Sequence, residues 1–384
     1  MEIKVLHIVR TYLPITENWL FHLLHNTPNT KQVIFAERLE NEIFSIPEFT
    51  IHLVTKKHIK TSNNIFFRIV KKVMRWWVVY FKGIYTKQLH SIIQKENPDI
   101  IHVHFGNIAL MYLPVFKRIK TPLLVSFYGY DYNAFYNYKS LFQRVNYCIC
   151  EGPAGREQLI SLGCPVDKII IIPLGIVPSL SLSSKIKNQG NLKLVQIAAF
   201  NEKKGYIYTV KAFEKALSSC PNMKLTLIGP DSPIKDKIKD YIKDHQLSSS
   251  ITIKNTIPPH VVEKELAQYD VFIHPSVLAA NGDNEGGAPV VLLQAQACGL
   301  PIIATFHMDI PFYVIHRETG LLVPEKDIDS LSNSISSFYY MQEEDFQDFS
   351  KNAIKHVEKN FNITQNALKL KEFYHQQIKL THIK

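Results

Sequence analysis

No stretch of this 384-residue chain runs apolar for the ~20 residues a membrane-crossing helix needs, so a spanning protein is not expected. The opening MEIKVLHIVRTYLP lacks a charged-then-apolar export pattern and reads as a buried first strand. Cysteine is scarce and odd in number: Cys148, Cys150, Cys164, Cys220 and Cys298. No zinc-type C-x-x-C pair exists, so a disulfide framework is not expected and a reducing cytosol is. Cys148 and Cys150 would share one face of a strand, where packing is the favoured reading and a metal or redox pair a distant second. Short repeats and low-complexity tracts are absent. Charged residues make up only 20 % against 46 % hydrophobic, which excludes a disordered chain.

What is present is length enough for two domains with ample cores and a net charge of +10 with pI about 9.1. That balance suits an anionic surface or ligand: membrane, nucleic acid or phosphate. The densest basic cluster lies in residues 56–87, where Lys71, Lys72 and Arg75 stand beside Trp76 and Trp77. Two readings of it stay open. One is an interfacial helix on anionic lipid. The other is a domain helix with a wet basic face and an aromatic core face. A nucleic-acid binder is permitted by the charge, yet no recognised nucleic-acid module appears.

Strand-like runs alternate with helical patterns. KVLHIV (4–9), DIIHVHF (99–105), PLLVSFYG (122–129), YCICEG (147–152) and KIIIIPLG (168–175) fall in the first half, with helical stretches at 17–26 and 155–163. The Ser- and Lys-rich segment 177–191 reads as a linker, after which the pattern restarts with strands at 193–200, 223–229, 249–257, 270–276 and 301–306 and a helix at 205–219. The alternation predicts an α/β protein with two open parallel sheets, each covered by helices. A ligand is expected in the crevice at the carboxyl ends of the strands.

Two loops fit that crevice. In AAFNEKKGYIYTV (198–210) a strand ends, Lys203 and Lys204 follow, and Gly205 opens a helix. Amides at a helix start carry partial positive charge and bind anions. In NEGGAPVVLLQAQACGLPIIAT (284–305), Gly286 and Gly287 permit close backbone approach, Ala288 follows, and Pro289 suits a first helical turn. The two helix starts would together hold a diphosphate without a metal. Glu285, acceptor-only when ionised, suits sugar hydroxyls. Gln294 either bonds a ribose or is a satisfied buried amide.

In their order, these segments resemble glycosyltransferase family four, the retaining GT-B enzymes. EGGAPVVLLQAQACGLPIIAT, HMDIP, ETGLLVPEKD, EKKG (202–205), IGPDSP (228–233), AQYDVFIHPS (267–276), GCPVDKIIIIPLG (163–175), HVHFG (102–106), FYGYD (127–131) and YLPITENWL (12–20) carry the similarity across most of the chain. The resemblance implies a GT-B fold: a Rossmann-like acceptor-side domain at 1–180, a nucleotide-sugar domain at 181–360, and a helical tail at 361–384 that packs back on the first domain. It implies donor contacts at Lys203, Gly205, Gly229, Gly286, Gly287, Ala288, Pro289 and Gln294. Catalytic roles fall to Glu285, Lys204, Tyr128 and Asp131, and acceptor-side roles to Thr16, Glu17, His104 and Gly106. For His104 a packed strand-end histidine is an equal reading.

The sequence departs from the family pattern at Gln294, where a second Glu is usual, and Glu285 stands one residue further from it than usual. Ala199 replaces an arginine, Tyr128 the histidine of HGyD, and Phe312 a late acid. The expected activity is retaining, metal-independent transfer of a sugar from a UDP- or GDP-sugar to a lipid-linked or growing surface-polysaccharide acceptor, with no cofactor. The expected site is the inner, cytoplasmic face of the cell membrane, on an anionic surface. A catalytically weakened scaffold and a GT-B sugar-nucleotide epimerase are the alternatives; for the second, no convincing acid–base carboxylate set is present.

Overall fold

The computed structural model describes residues 2–14, 18–40, 49–54, 82–132, 136–177, 184–187 and 189–383. Strands β1 (Ile3–Tyr12), β2 (Thr30–Leu39), β3 (Thr50–Leu53), β4 (Ile100–His104), β5 (Leu123–Ser126), β6 (Tyr147–Cys150) and β7 (Ile169–Ile171) form a parallel sheet ordered β3-β2-β1-β4-β5-β6-β7. A second parallel sheet, ordered β10-β9-β8-β11-β12-β13, is built from β8 (Leu192–Ile197), β9 (Met223–Ile228), β10 (Ile251–Lys254), β11 (Val271–His274), β12 (Ile302–Thr305) and β13 (Gly320–Val323). In both, strand order reverses beside the first strand of the half, between β1 and β4 and between β8 and β11. Loops leaving those strands diverge there and open a crevice.

Most strands are apolar throughout, as burial on two faces requires. Strands β2, β3 and β13 escaped the sequence reading for a physical reason. In TKQVIFAERL only the centre is fully apolar; β3 is four half-exposed residues at the sheet edge, and β13 opens on Gly320.

Alternation sorts the first sheet's side chains. Leu6, Ile8, Val33, Ile101, Val103 and Val125 join one core. Val5, Ile100, Leu124 and Ile149 face the other way and pack against Ile363, Leu370 and Tyr374. Those last three lie on the helix Ile363–Ile383. The tail thus returns to the first sheet, pinned by a bridge between Ile176 and Asn362. All five cysteines are buried and free, within apolar cores, which is the packing reading. No helix among the described residues is long and apolar enough to cross a membrane. The basic aromatic segment around Lys71, Lys72, Arg75, Trp76 and Trp77, with Thr16 and Glu17, lies outside the described residues.

The two halves touch through glycine. Gly286 has φ +74°, and a Cβ there would stand 1.9 Å from the Gly129 Cα. A Cβ on Gly287 would stand 1.5 Å from Glu151 Oε2, and one on Gly152 2.5 Å from the Asp309 carboxylate. That carboxylate, from the second half, accepts the amides of Ala154 (2.7 Å) and Gly155 (3.3 Å) at the start of helix Pro153–Ser161. It caps another half's helix, where negative charge is favourable. A side chain at Gly286 meets backbone and cannot be accommodated by a rotamer change. Gly286→Ala is therefore expected to separate the halves, read as a larger radius of gyration in solution scattering, and to lower stability by more than ~1 kcal/mol from the left-handed backbone alone.

Candidate active site

Between the sheets lies a cleft of about 510 Å³. Trp19, Tyr128, Gly129 and Glu151 reach it from the first half, and Lys203, Lys204, Glu285, Ala288, Pro289 and Gln294 from the second. The loop bearing the lysines follows β8 as a single 3₁₀ turn, Glu202–Lys204, and Gly205 at φ +68° then starts the helix Tyr206–Leu217. A Cβ on Gly205 would stand 1.9 Å from the Pro275 carbonyl oxygen, so glycine is what lets this loop lie against the end of β11. Gln196 Nε2 donates to the Lys204 carbonyl (2.7 Å) and Gln196 Oε1 accepts from Thr209 (2.7 Å). The Val277 amide donates to the Lys203 carbonyl at 2.9 Å. The lysines' main chain is thus fixed from three sides.

Glu285 meets Lys204 here. Lys204 Nζ lies 2.6 Å from Glu285 Oε2, and Ser276 Oγ donates to Oε1 at 2.6 Å. Only 5 % of the Glu285 side chain is exposed. Burial opposes its ionisation, yet the Lys204 charge and neighbouring His274 outweigh that and hold the carboxyl well below the usual carboxylate range. His274 Nε2 stands 3.5 Å from Oε1, a contact longer than a good hydrogen bond. The Glu285 amide donates to His307 Nε2 (3.2 Å), so the proton of a neutral His307 sits on Nδ1 and is donated to Glu325 at 2.6 Å. Lys203 Nζ bonds Asp283 (3.1 Å) and the Asn284 carbonyl (2.9 Å), which ties the acidic loop to the lysine loop. The side-chain oxygens of Asn201, on the cleft wall, and of Asn284 are buried with no donor.

The chain turns left-handed at Gly286 directly after Glu285, and Glu285 stands against Lys204. Gln294 is half-buried on the cleft wall, whereas the fully buried amide of that helix is Gln296, whose Nε2 donates to the Leu292 and Tyr313 carbonyls.

Four expected site residues stand behind the cleft wall instead of on it. Asp131 is fully buried and accepts the amides of Tyr128 (3.1 Å) and Asn107 (3.3 Å). It fixes the start of helix Gly106–Phe116, and burial lifts its pKa to about 7 against those amides. Gly106 is packed on the Phe127 ring, 2.3 Å from where a Cβ would be. Gly229 is closed off by the Ala198 carbonyl, 2.0 Å from its would-be Cβ. His104 is buried and bonded to Tyr128 and His7, the packed reading, so its influence on the cleft runs through Tyr128.

Sequence reasoning missed Glu151, Ser276, His307 and Asp309. None has a spacing that announces it, because they are brought in by three separate strand ends, those of β6, β11 and β12. Glu151 projects from the first half onto Gly287. Burial, then Asp309 and Glu285, push its carboxyl well above the usual range, toward the neutral form.

Breaking the buried pair leaves an uncompensated charge, so Glu285→Gln is expected to cost about 3 kcal/mol at pH 7 by urea unfolding. Since the folded carboxyl is depressed, its contribution is present above the unfolded value of about 4.3 and is lost as pH falls further. The stability difference between wild type and Glu285→Gln should hold steady above about pH 5 and shrink below about pH 4.

Residues 182–356 match the family model "Glycosyl transferases group 1" and residues 49–180 match "Glycosyltransferase Family 4". WcaL of Escherichia coli strain K12, named for colanic acid biosynthesis, is 27 % identical over 274 residues, covering 69 % of this chain and 67 % of that one. The amylovoran biosynthesis glycosyltransferase AmsK of Erwinia amylovora is 28 % identical over 244 residues, 61 % of this chain and 60 % of its own. Among solved structures, Anabaena Alr3699/HepE in complex with UDP-glucose superposes with TM-score 0.75 at 14 % identity, covering 97 % of this chain and 100 % of that one. With both halves matched in order and the two-sheet architecture shared, the chain belongs to the family four glycosyltransferases, with the GT-B fold.

Proposed function

We propose that this protein transfers a sugar, with retention of configuration and without a metal, from a UDP- or GDP-sugar to a lipid-linked or growing surface-polysaccharide acceptor. One observation carries the reading: the lysine loop and the glycine turn, far apart in sequence, converge on a single point of the cleft, Lys204 to Glu285 at 2.6 Å. In the proposed complex the donor diphosphate lies over Lys203, Lys204 and the starts of helices Tyr206–Leu217 and Val290–Ala297. Lys204 has three N–H groups and Glu285 uses one, so the others remain for phosphate. Charge grows on the leaving diphosphate in the transition state, and fixed ammonium and amide dipoles stabilise it. The leaving oxygen takes the acceptor's proton, and no protein nucleophile is needed. Glu285 and Asn201 offer acceptors to hydroxyl groups, and Tyr128 closes the sugar from the first half. On this reading residues 1–180 carry the acceptor side, 181–360 the donor side, and 361–384 the tail.

The relatives' names, colanic acid and amylovoran biosynthesis, support a polysaccharide acceptor, and the UDP-glucose complex of a structural neighbour supports a UDP-sugar donor. Lys204→Ala should weaken donor binding roughly ten- to a hundred-fold, as loss of a charge-assisted bond implies. Titration calorimetry with the UDP- or GDP-sugar that most raises the melting temperature measures this; unchanged affinity would remove the phosphate assignment. Release of nucleotide diphosphate, undiminished by EDTA, separates a metal-independent enzyme from a binding scaffold.

The membrane siting rests on the composition of residues 56–87. Binding to anionic vesicles is expected to weaken several-fold between low and physiological salt and again on reversing charge at Lys71, Lys72 and Arg75. Absent or salt-insensitive binding would count against peripheral attachment.

A further inference from the structure

The face of the first sheet that meets helix Ile363–Ile383 carries a row of histidines among its apolar residues. His7 on β1 pairs in register with His102 on β4, and His104 pairs with Ser126 on β5. All three imidazoles are buried, and burial lowers the basicity of each. Each is therefore neutral, with one N–H to place.

The placement is forced from one end. Gln32 Nε2 donates to the Leu24 carbonyl (3.2 Å) and to Thr30 Oγ1 (2.7 Å). A carbonyl only accepts, so the oxygen of Gln32 faces His7. His7 Nε2, 2.8 Å away, must carry its proton. His7 Nδ1 is then bare and accepts from His104 Nε2 at 3.0 Å. His104 Nδ1 is bare in turn and accepts from the Tyr128 hydroxyl at 3.0 Å. The one proton of Tyr128 is thereby committed, so toward any further partner Tyr128 can only accept. Alongside, His102 bridges Ser126 (Nε2, 2.7 Å) and Tyr374 of the tail helix (Nδ1, 2.6 Å). Every donor from Tyr128 to the Leu24 carbonyl points the same way.

We propose that Gln32, His7 and His104 are positioning residues that fix the Tyr128 hydroxyl as a hydrogen-bond acceptor on the cleft wall, so that Tyr128 selects a ligand hydroxyl and disfavours a phosphate or carboxylate oxygen. Tyr128 lines the cleft and is held in place by Trp19 and Phe105, with ring centroids at 4.7 and 4.9 Å. With its proton given to His104, the Tyr128 oxygen has lone pairs to offer a substrate hydroxyl. The identity of that substrate rests on the glycosyltransferase reading, but the proton placement does not. The ligand atoms of the three imidazoles also lie within 4.8 Å of one another, close enough for a metal ion. Each ring nitrogen already has a partner, however, and an ion would have to break those bonds.

The test is nitrogen NMR of the full chain labelled at histidine. His7 and His104 should be neutral Nε2–H tautomers, unchanged by added zinc. Gln32→Leu removes the terminal acceptor and touches nothing in the cleft. It should turn His7 and His104 to Nδ1–H and lower kcat/KM for the donor identified by thermal shift roughly ten-fold. Tyr128→Phe should lose at least as much, and the double variant no more than Tyr128→Phe alone. A merely structural Gln32 would lower the melting temperature without moving the tautomers. An Nδ1–H or cationic His7 or His104 in the wild type, a bound metal ion, or a tautomer flip that leaves kcat/KM unchanged would each overturn the proposal. If no nucleotide sugar is turned over at all, the glycosyltransferase reading falls, while the wild-type tautomers still decide which way Tyr128 points.

Discussion

The arrangement of the second half's loops depends on one buried ion pair, Lys204 with Glu285. An unpaired charge at that depth would be costly, so the lysine loop after β8 and the glycine turn before helix Val290–Ala297 are held at one separation. Ser276, His274 and the His307–Glu325 pair extend the constraint to the ends of β11 and β12. The outcome is an acid that stays ionised although buried, and a lysine whose remaining N–H groups face a cleft.

The first half supplies the opposite electrostatics. Glu151 is pushed toward its neutral form, and Tyr128 is held by a run of neutral imidazoles. A cleft with cations and helix starts on one wall and uncharged hydrogen-bonding groups on the other fits a ligand that is anionic at one end and hydroxylated at the other. The glycine contacts at Gly129–Gly286 and Glu151–Gly287 set how closely those walls approach.

Much of this was legible in the chain. Apolar runs broken at regular spacing gave two parallel sheets, because strands buried on both faces have no polar alternation to hide them. Lys203, Lys204, Glu285 and Pro289 could be singled out because glycine and proline beside charge mark helix starts. Polar-ended β2 and short β13 were invisible, since pairing with a neighbouring strand, not their own composition, makes them strands. Asp131, Gly106, Gly229 and His104 carried the family's motif but sit behind the wall: a motif gives a residue's place in the chain and not the direction of its side chain.

By itself, then, the sequence determined the layered fold and the two loops at strand ends, because periodicity and turn chemistry are local properties. Only the tertiary structure decided that Lys204 neutralises Glu285, that Asp309 caps a helix of the other half, and that His7 meets His104 in a run that ends at Tyr128. Lys204–Glu285, Asp309–Ala154 and His7–His104 join residues 81, 155 and 97 positions apart, and which groups meet over such distances is fixed by sheet order and register, which no local pattern encodes.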